Sequence, residues 1–168
     1  LRGGTHNEGA PPFDFVARPF LPQLARMGAS CSATLVPHGV FPAGGGVEKV
    51  AIEAVAPLEP IELLDRGAVR SQSARILISG IGNGVANRER VALLDRSGWD
   101  VSDVVVERLT EDTGPGNAVV VAIETDALTT VFTSFGRRGV RAETVAADAY
   151  FAAESYLESG APVDLHLA

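Results

Sequence analysis

Residues 47–55 (VEKVAIEAV) alternate apolar and polar side chains, a period of two that predicts a half-buried strand. A shorter strand is predicted at 33–36, and between the two lies His38-Gly39-Val40-Phe41-Pro42-Ala43-Gly44-Gly45-Gly46. Pro42 fixes one backbone torsion there, and the three glycines accept φ > 0 and allow another backbone or a ligand to come close. The run reads as a structural corner. A phosphate-binding glycine loop opens a helix whose N–H groups face the anion, whereas these glycines lead into a strand. Upstream, residues 13–27 place Phe13, Val16, Ala17, Phe20, Leu21 and Leu24 at helical spacing, with Gly28 as a C-terminal stop. Pro19 and Pro22 interrupt it. A proline inside a helix costs about 3 kcal/mol, so a kink, or a first turn ending near Pro19, is expected. Downstream, Pro57 and Pro60 punctuate the chain, and 61–64 is a further expected strand.

After Arg66-Gly67 the pattern resets. Residues 75–79 (RILIS) predict a strand, 85–97 a helix, and 101–108 a strand rich in β-branched residues. Gly114-Pro115-Gly116 is a loop, because proline between glycines forbids a helix. Residues 117–124 and 127–135 predict two strands joined by a tight turn at Thr125-Asp126 and paired antiparallel. Residues 67–136 thus form a βαβββ unit set into something larger. The clearest helix is 141–158, where Ala142, Val145, Ala146, Ala149, Ala153, Tyr156 and Leu157 make one stripe and Gly160 follows the end. Its small residues would let it sit close against a sheet.

Composition narrows the class. With 168 residues, 46% hydrophobic content and a mean hydropathy of +0.16, the chain suffices for one core or two small ones. A formal net charge of -7 argues against nonspecific adhesion to nucleic acid or anionic membrane, yet it leaves room for RNA as a substrate in a locally basic groove. Cys31 is the single cysteine, which excludes a disulfide framework and suits a reducing compartment, so a cytoplasmic location is expected. No apolar run approaches a membrane span. The chain starts at Leu1 and stops at Ala168 just after an apolar segment, so a piece of a longer protein is expected.

Candidate chemistry is sparse. His6, His38 and His166 are far apart in sequence and have no partner at metal-ligand spacing, and the nucleophile-elbow string of serine hydrolases is missing. Glu107, Glu111 and Asp112 form a carboxylate cluster that reads as a solvated edge. Gly80-Ile81-Gly82-Asn83-Gly84 follows a strand, opens a helix and has Glu107 near the end of the next strand, the order a dinucleotide site requires. The third glycine would fall at Val85, however, Glu107 lies beyond the usual spacing of about 20 residues, and no third parallel strand follows. A plain helix start with Asn83 as N-cap is the competing reading.

The glycine corner has the form His-Gly-x-x-Pro-x-Gly-Gly-Gly, and with it come Gly3-Gly4-Thr5-His6-Asn7, Ala10-Pro11-Pro12-Phe13-Asp14, Asp112-Thr113-Gly114-Pro115-Gly116-Asn117 and Val163-Asp164-Leu165-His166-Leu167-Ala168. In order and spacing these strings resemble the RNA 3'-terminal phosphate cyclases, over essentially the whole chain. The resemblance implies an α/β (α+β) fold: two-layer repeated α/β units of a large cyclase domain, interrupted by a small inserted thioredoxin-like βαβββ domain. Residues 1–66 and 137–168 would then belong to the large domain and 67–136 to the insert, whose helix start is matched by Val85-Ala86-Asn87-Arg88-Glu89.

The implied activity is the ATP-dependent conversion of an RNA 3'-terminal phosphate to a 2',3'-cyclic phosphate. A histidine attacks the α-phosphorus of ATP, AMP passes to the RNA 3'-phosphate, and the neighbouring 2'-hydroxyl displaces it. Adenylylation turns a phosphate oxygen into a good leaving group, which is covalent catalysis. A divalent metal, magnesium or manganese, would neutralise the triphosphate. Carried over by position, Pro12 packs on one face of the adenine, and His166 stands where the family places an aromatic, often tyrosine, on the other. The resemblance places the nucleophilic histidine downstream of Ala168 and the metal-binding acid upstream of Leu1. The chain by itself is therefore expected to be inactive. Two other readings stay open: a catalytically silent relative acting as a scaffold in ribosome assembly, and a dinucleotide-binding unit at 67–136.

Overall fold

The computed structural model describes residues 1–36, 38–39, 44–53, 57–109 and 114–168. The N-terminal part holds a three-stranded antiparallel sheet of β1 (Arg2–Gly3), β2 (Cys31–Leu35) and β3 (Gly46–Ile52), in the order β1-β3-β2. Ala33 pairs with Val50 at the middle of the β2/β3 ladder. The glycines of the corner are used for close approach: a Cβ at Gly39 would lie 2.3 Å from the Gly3 carbonyl oxygen, and one at Gly46 2.6 Å from the Gly39 nitrogen. Gly39 is also stitched to the N-terminus, its carbonyl accepting from the Thr5 and His6 N–H groups at 2.8 and 3.1 Å. The corner reading therefore holds at Gly39 and Gly46, while residues 40–43, and Ala54 and Val55 of the expected strand, lie outside the described residues.

The helix expected at 13–27 is α1 (Phe13–Phe15), a π-turn at Val16–Phe20 and α2 (Leu21–Arg26). Pro19 sits inside the π-turn: it has no N–H to complete an ordinary helical bond, and widening the turn accommodates its ring. Pro22 falls in the first turn of α2, where the missing donor costs nothing. The strand expected at 61–64 does not form. Pro57 and Pro60 offer no donors to a ladder, residues 57–63 take no regular structure, and Leu64 is left 82% exposed.

A four-stranded sheet follows, of β4 (Val69–Ser79), β5 (Val104–Arg108), β6 (Gly116–Thr125) and β7 (Thr129–Phe135), in the order β5-β4-β6-β7. β4 and β5 are parallel and the other two pairings antiparallel, including the β6/β7 hairpin predicted from its tight turn. β4 begins well before the RILIS run because β6 pairs with it along almost its whole length. Val101–Asp103, expected to open β5, is a 3-10 turn closed by a reciprocal capping box between Asp100 and Asp103. Helix α3 (Asn83–Ser97) starts from Gly82 in an extended conformation. Asn83, expected as N-cap, is instead its first helical residue, and its side chain accepts a hydrogen bond from Arg108. Helix α4 (Ala142–Ser159) ends at Gly160 as expected.

Strand alternation distributes the core. Ala74, Ile76 and Ile78 of β4 face α3 and α4, meeting Leu93 from α3 and Val145, Ala146, Ala149 and Ala153 from α4. Leu77 faces the other way, into a cluster with Phe15, Val120 and Val131. β6 is apolar at successive positions because both of its faces are covered. The stripe on α4 thus seats that helix on the sheet of residues 67–136. Arg66 fastens its end, donating to the carbonyls of Tyr156 and Leu157 at 2.8 and 2.7 Å and lying 4.9 Å above the Tyr156 ring. Among the described residues, no helix is long and apolar enough to cross a membrane.

Candidate functional site

Pro12 ends the loop that enters α1. Its carbonyl accepts from the Phe15 and Val16 N–H groups at 3.0 and 3.3 Å, which turns the chain and directs Phe15 inward. At the other end of the molecule Asp164 makes an Asx turn, its Oδ1 accepting from the His166 and Leu167 N–H groups at 2.7 and 2.8 Å. These two local devices bring Pro12 and His166 to one cavity of about 550 Å³. Phe15 presents its ring edge-on to His166, with centroids 6.3 Å apart and planes at 86°. The remaining wall comes from the 7–11 loop, β7 and Ala152 of α4. A largely apolar cavity with a proline and an imidazole in its wall suits a flat heterocycle. Two polar side-chain atoms of this wall, Asn7 Oδ1 and Thr133 Oγ1, are buried without a hydrogen-bond partner among the described residues.

A second cluster joins the two sheets. His6, 2% exposed, donates from Nε2 to Asp14 Oδ2 at 3.1 Å, and its Nδ1 meets the Thr5 hydroxyl at 2.9 Å. Arg75 of β4 donates to Asp14 Oδ1 at 2.6 Å and to Glu107 of β5 at 2.7 Å. Burial works to raise the Asp14 carboxyl, but the His6 hydrogen bond and the Arg75 charge outweigh it and hold the group below the usual carboxylate range. Burial lowers His38, whose ring centroid is 5.3 Å from that of His6; the Arg75 charge adds to the effect while Glu107 and Asp14 oppose it. Separation in sequence thus hid one meeting: His6 and His38 are adjacent, whereas His166 lines the other cavity.

Glu107 is an ion-pair partner of Arg75 and its side chain stays 39% exposed, so it remains at a partly solvated edge; Glu111 and Asp112 lie outside the described residues. Because Arg75 and Asp14 stand on the sheet face away from α3, Glu107 also points away from the helix that the Gly80–Gly84 run opens. That removes the acid a dinucleotide site requires, and β6, antiparallel to β4, supplies no third parallel strand. Among the described residues, no group of three or more His, Cys, Asp and Glu could hold a metal ion. Asn117, from the Gly-Pro-Gly string, donates instead to Glu89 on α3, a carboxylate fully removed from solvent.

Sequence reasoning reached Pro12 and His166 but not Phe15, Asn7 or β7 as their neighbours. The only available signal was that Val131, Thr133 and Phe135 share one face of a predicted strand, which does not say what closes over it.

The family model described as RNA 3'-terminal phosphate cyclase matches residues 1–168. Proteins named RNA 3'-terminal phosphate cyclase are similar over the whole chain: one from Koribacter versatilis is 40% identical, with 47% of its length covered, and one from Pseudomonas aeruginosa (strain UCBPP-PA14) is 42% identical, with 49% covered. A third, from Ralstonia nicotianae, is 44% identical with 48% covered. The chain spans about half the length of these curated relatives. With its motif strings, its mixed α/β architecture and a family match from end to end, the chain belongs to the RNA 3'-terminal phosphate cyclase family.

Proposed function

We propose that these residues are the adenine-holding portion of an enzyme that converts an RNA 3'-terminal phosphate to a 2',3'-cyclic phosphate at the expense of ATP, through histidyl-AMP and RNA-adenylate intermediates. The observation that supports this is the convergence of Pro12 and His166 on one apolar cavity whose 550 Å³ falls in the range of small-molecule sites, roughly 300–1,000 Å³. Pro12 offers a rigid apolar face. His166 offers a stacking plane smaller than tyrosine, held in orientation by the Asx turn at Asp164 and the edge of Phe15. Bound there, ATP supplies the activated adenylyl group; the chain's own part is to seat the base, exclude water from it and fix its direction.

The phosphate-cyclising chemistry is assigned to the whole protein. His6 is engaged by Asp14 and Thr5 in a closed network, which disfavours it as nucleophile, and His38 is packed beside it. No residue here is assigned to the magnesium or manganese ion. The sheet β5-β4-β6-β7 with α3, residues 67–136, is proposed as the inserted unit; α4, which the resemblance assigned to the flanking large domain with the rest of 137–168, packs on this sheet and is proposed to belong with it instead.

The test is to incubate the full-length protein and the 168-residue chain with α-labelled ATP and a divalent metal, then look for acid-labile, protein-bound AMP. Label on the full-length protein alone is expected. Label on neither would sink the enzymatic reading in favour of a silent scaffold, and label on the short chain would mean that one of its own three histidines is the nucleophile.

A further inference from the structure

Two of the motif strings meet inside the molecule. Glu89, from the Val85-Ala86-Asn87-Arg88-Glu89 string of α3, accepts a hydrogen bond from the side-chain amide of Asn117, which follows Gly114-Pro115-Gly116 at the start of β6. Glu89 is fully buried, and its Oε2 has no hydrogen-bond partner among the described residues. The residues that α3 buries around it, Ala86, Ala92 and Leu93, are apolar. A carboxyl with one oxygen unpaired costs stability there that an apolar side chain would not. Arg88, next along the helix, is paired with Glu143 of α4, and no cation bonds Glu89 among the described residues. What Glu89 supplies is one directional acceptor, and Asn117 is what it holds.

Asn117 in turn holds the end of β7. Its carbonyl accepts from the Gly136 N–H at 2.9 Å, and its side-chain amide stands so close over the Gly136 backbone that a Cβ there would overlap it. Gly136 lies between two residues that belong to the nucleotide cavity or close it. Phe135 lines the cavity, and Arg137 pairs at 2.8 Å with Glu8, a cavity residue of the 7–11 loop. The strand end and the loop are two walls of one space, and the turn at Gly136 joins them.

Resting on the adenine-site reading, we infer that Glu89 is a positioning residue for nucleotide binding: it fixes the Asn117 amide over Gly136 and so sets Phe135 and the Arg137–Glu8 pair in the cavity wall. Glu89 itself touches no ligand. Its acceptor oxygen does the holding, which sorts substitutions by their chemistry. Glutamine keeps an acceptor in the same place, whereas leucine fills the volume and accepts nothing. Gly136→Ala acts on the same contact from the other side, because its methyl group takes the space of the Asn117 amide.

Calorimetric titration of the full-length protein with AMP tests this without catalysis or metal. At pH 6, below the value of about 7 to which burial raises the parent carboxyl, Glu89→Gln should bind AMP within about twofold of the parent. Glu89→Leu should bind it at least about fivefold more weakly, and so should Gly136→Ala. Because both act through Asn117, the double variant should be no more than about twofold weaker than either alone. Leu93→Ala, a truncation in the core of the same helix, should lower the melting temperature yet leave AMP affinity within about twofold. Glu89→Leu binding AMP as the parent does, or Leu93→Ala weakening it as much, would overturn the inference alone. If Glu89→Leu fails to fold, Gly136→Ala decides, and AMP binding to it at parental affinity would likewise overturn the inference. No binding of AMP to the unaltered protein would overturn the adenine site and the inference together.

Discussion

Glu89 lies on α3 with 0% of its surface exposed; its one recorded partner is the Asn117 amide, and its Oε2 has none among the described residues. Burial pushes its carboxyl up from 4.5 to about 7, against the smaller opposing effects of the Asn117 hydrogen bond and the Arg88 charge. A carboxyl raised in the folded state binds its proton there while the unfolded chain has released it. Stability is therefore full below pH 4.5, falls as the pH climbs towards 7, and levels off above. The rise from 4.5 to about 7 corresponds to a loss of roughly 3 kcal/mol between the two plateaus. Glu89→Gln is neutral at every pH and can still accept from Asn117. It should unfold within about 1 kcal/mol of the parent chain at pH 5 and be more stable by roughly 3 kcal/mol at pH 8. Urea denaturation at half-unit steps from pH 4.5 to 8 measures both, and the difference between the two proteins cancels every other titrating group. A difference that stays flat over this range would refute the reasoning and place an ionised Glu89 in a compensated environment.

Asp14→Ala should cost about 3–5 kcal/mol, because Arg75 and His6 lose the carboxylate that compensates them. Since the Asp14 carboxyl is held low, its contribution is present above pH 3.8 and lost as the pH falls further, so the variant's urea midpoint should vary less with acid than the parent's. Gly160→Ala should lose about 1–2 kcal/mol and lower the melting temperature, since Gly160 has φ +67° and a Cβ there would meet nothing within 4 Å, leaving only backbone strain. Gly160→Asn should recover part of that loss, which a thermal melt would show.

Several parts of this fold were readable before any coordinates. The strand over 47–52, the β6/β7 hairpin, the helix end at Ser97, the helix stopped by Gly160, and the disturbance at Pro19 all depend on residues a few positions apart. Residues 61–64 show where such reading stops: a mostly apolar tetrapeptide becomes a strand only where it pairs with a sheet edge, and this one pairs with none among the described residues. Glu89 shows the same limit from the other side. In Asn-Arg-Glu-Arg it looks like part of a solvated helix face, and it is buried because α4, β4 and β5 pack against α3 and Asn117 of β6 reaches over to it.

The site divides along the same line. Sequence by itself determined the identities and local shapes: the Pro11-Pro12 entry to α1, the Asx turn that carries His166, the glycine corner and the motif order that places the chain in its family. Only the tertiary structure decided that Pro12 and His166 line one cavity, that Asp14 bridges His6 to Arg75, which also holds Glu107, and that β7 is an outer strand beside the cavity. Torsional preference and side-chain period act over a turn or two of chain. Ion pairs, cavities and strand edges depend instead on which remote surfaces burial forces together.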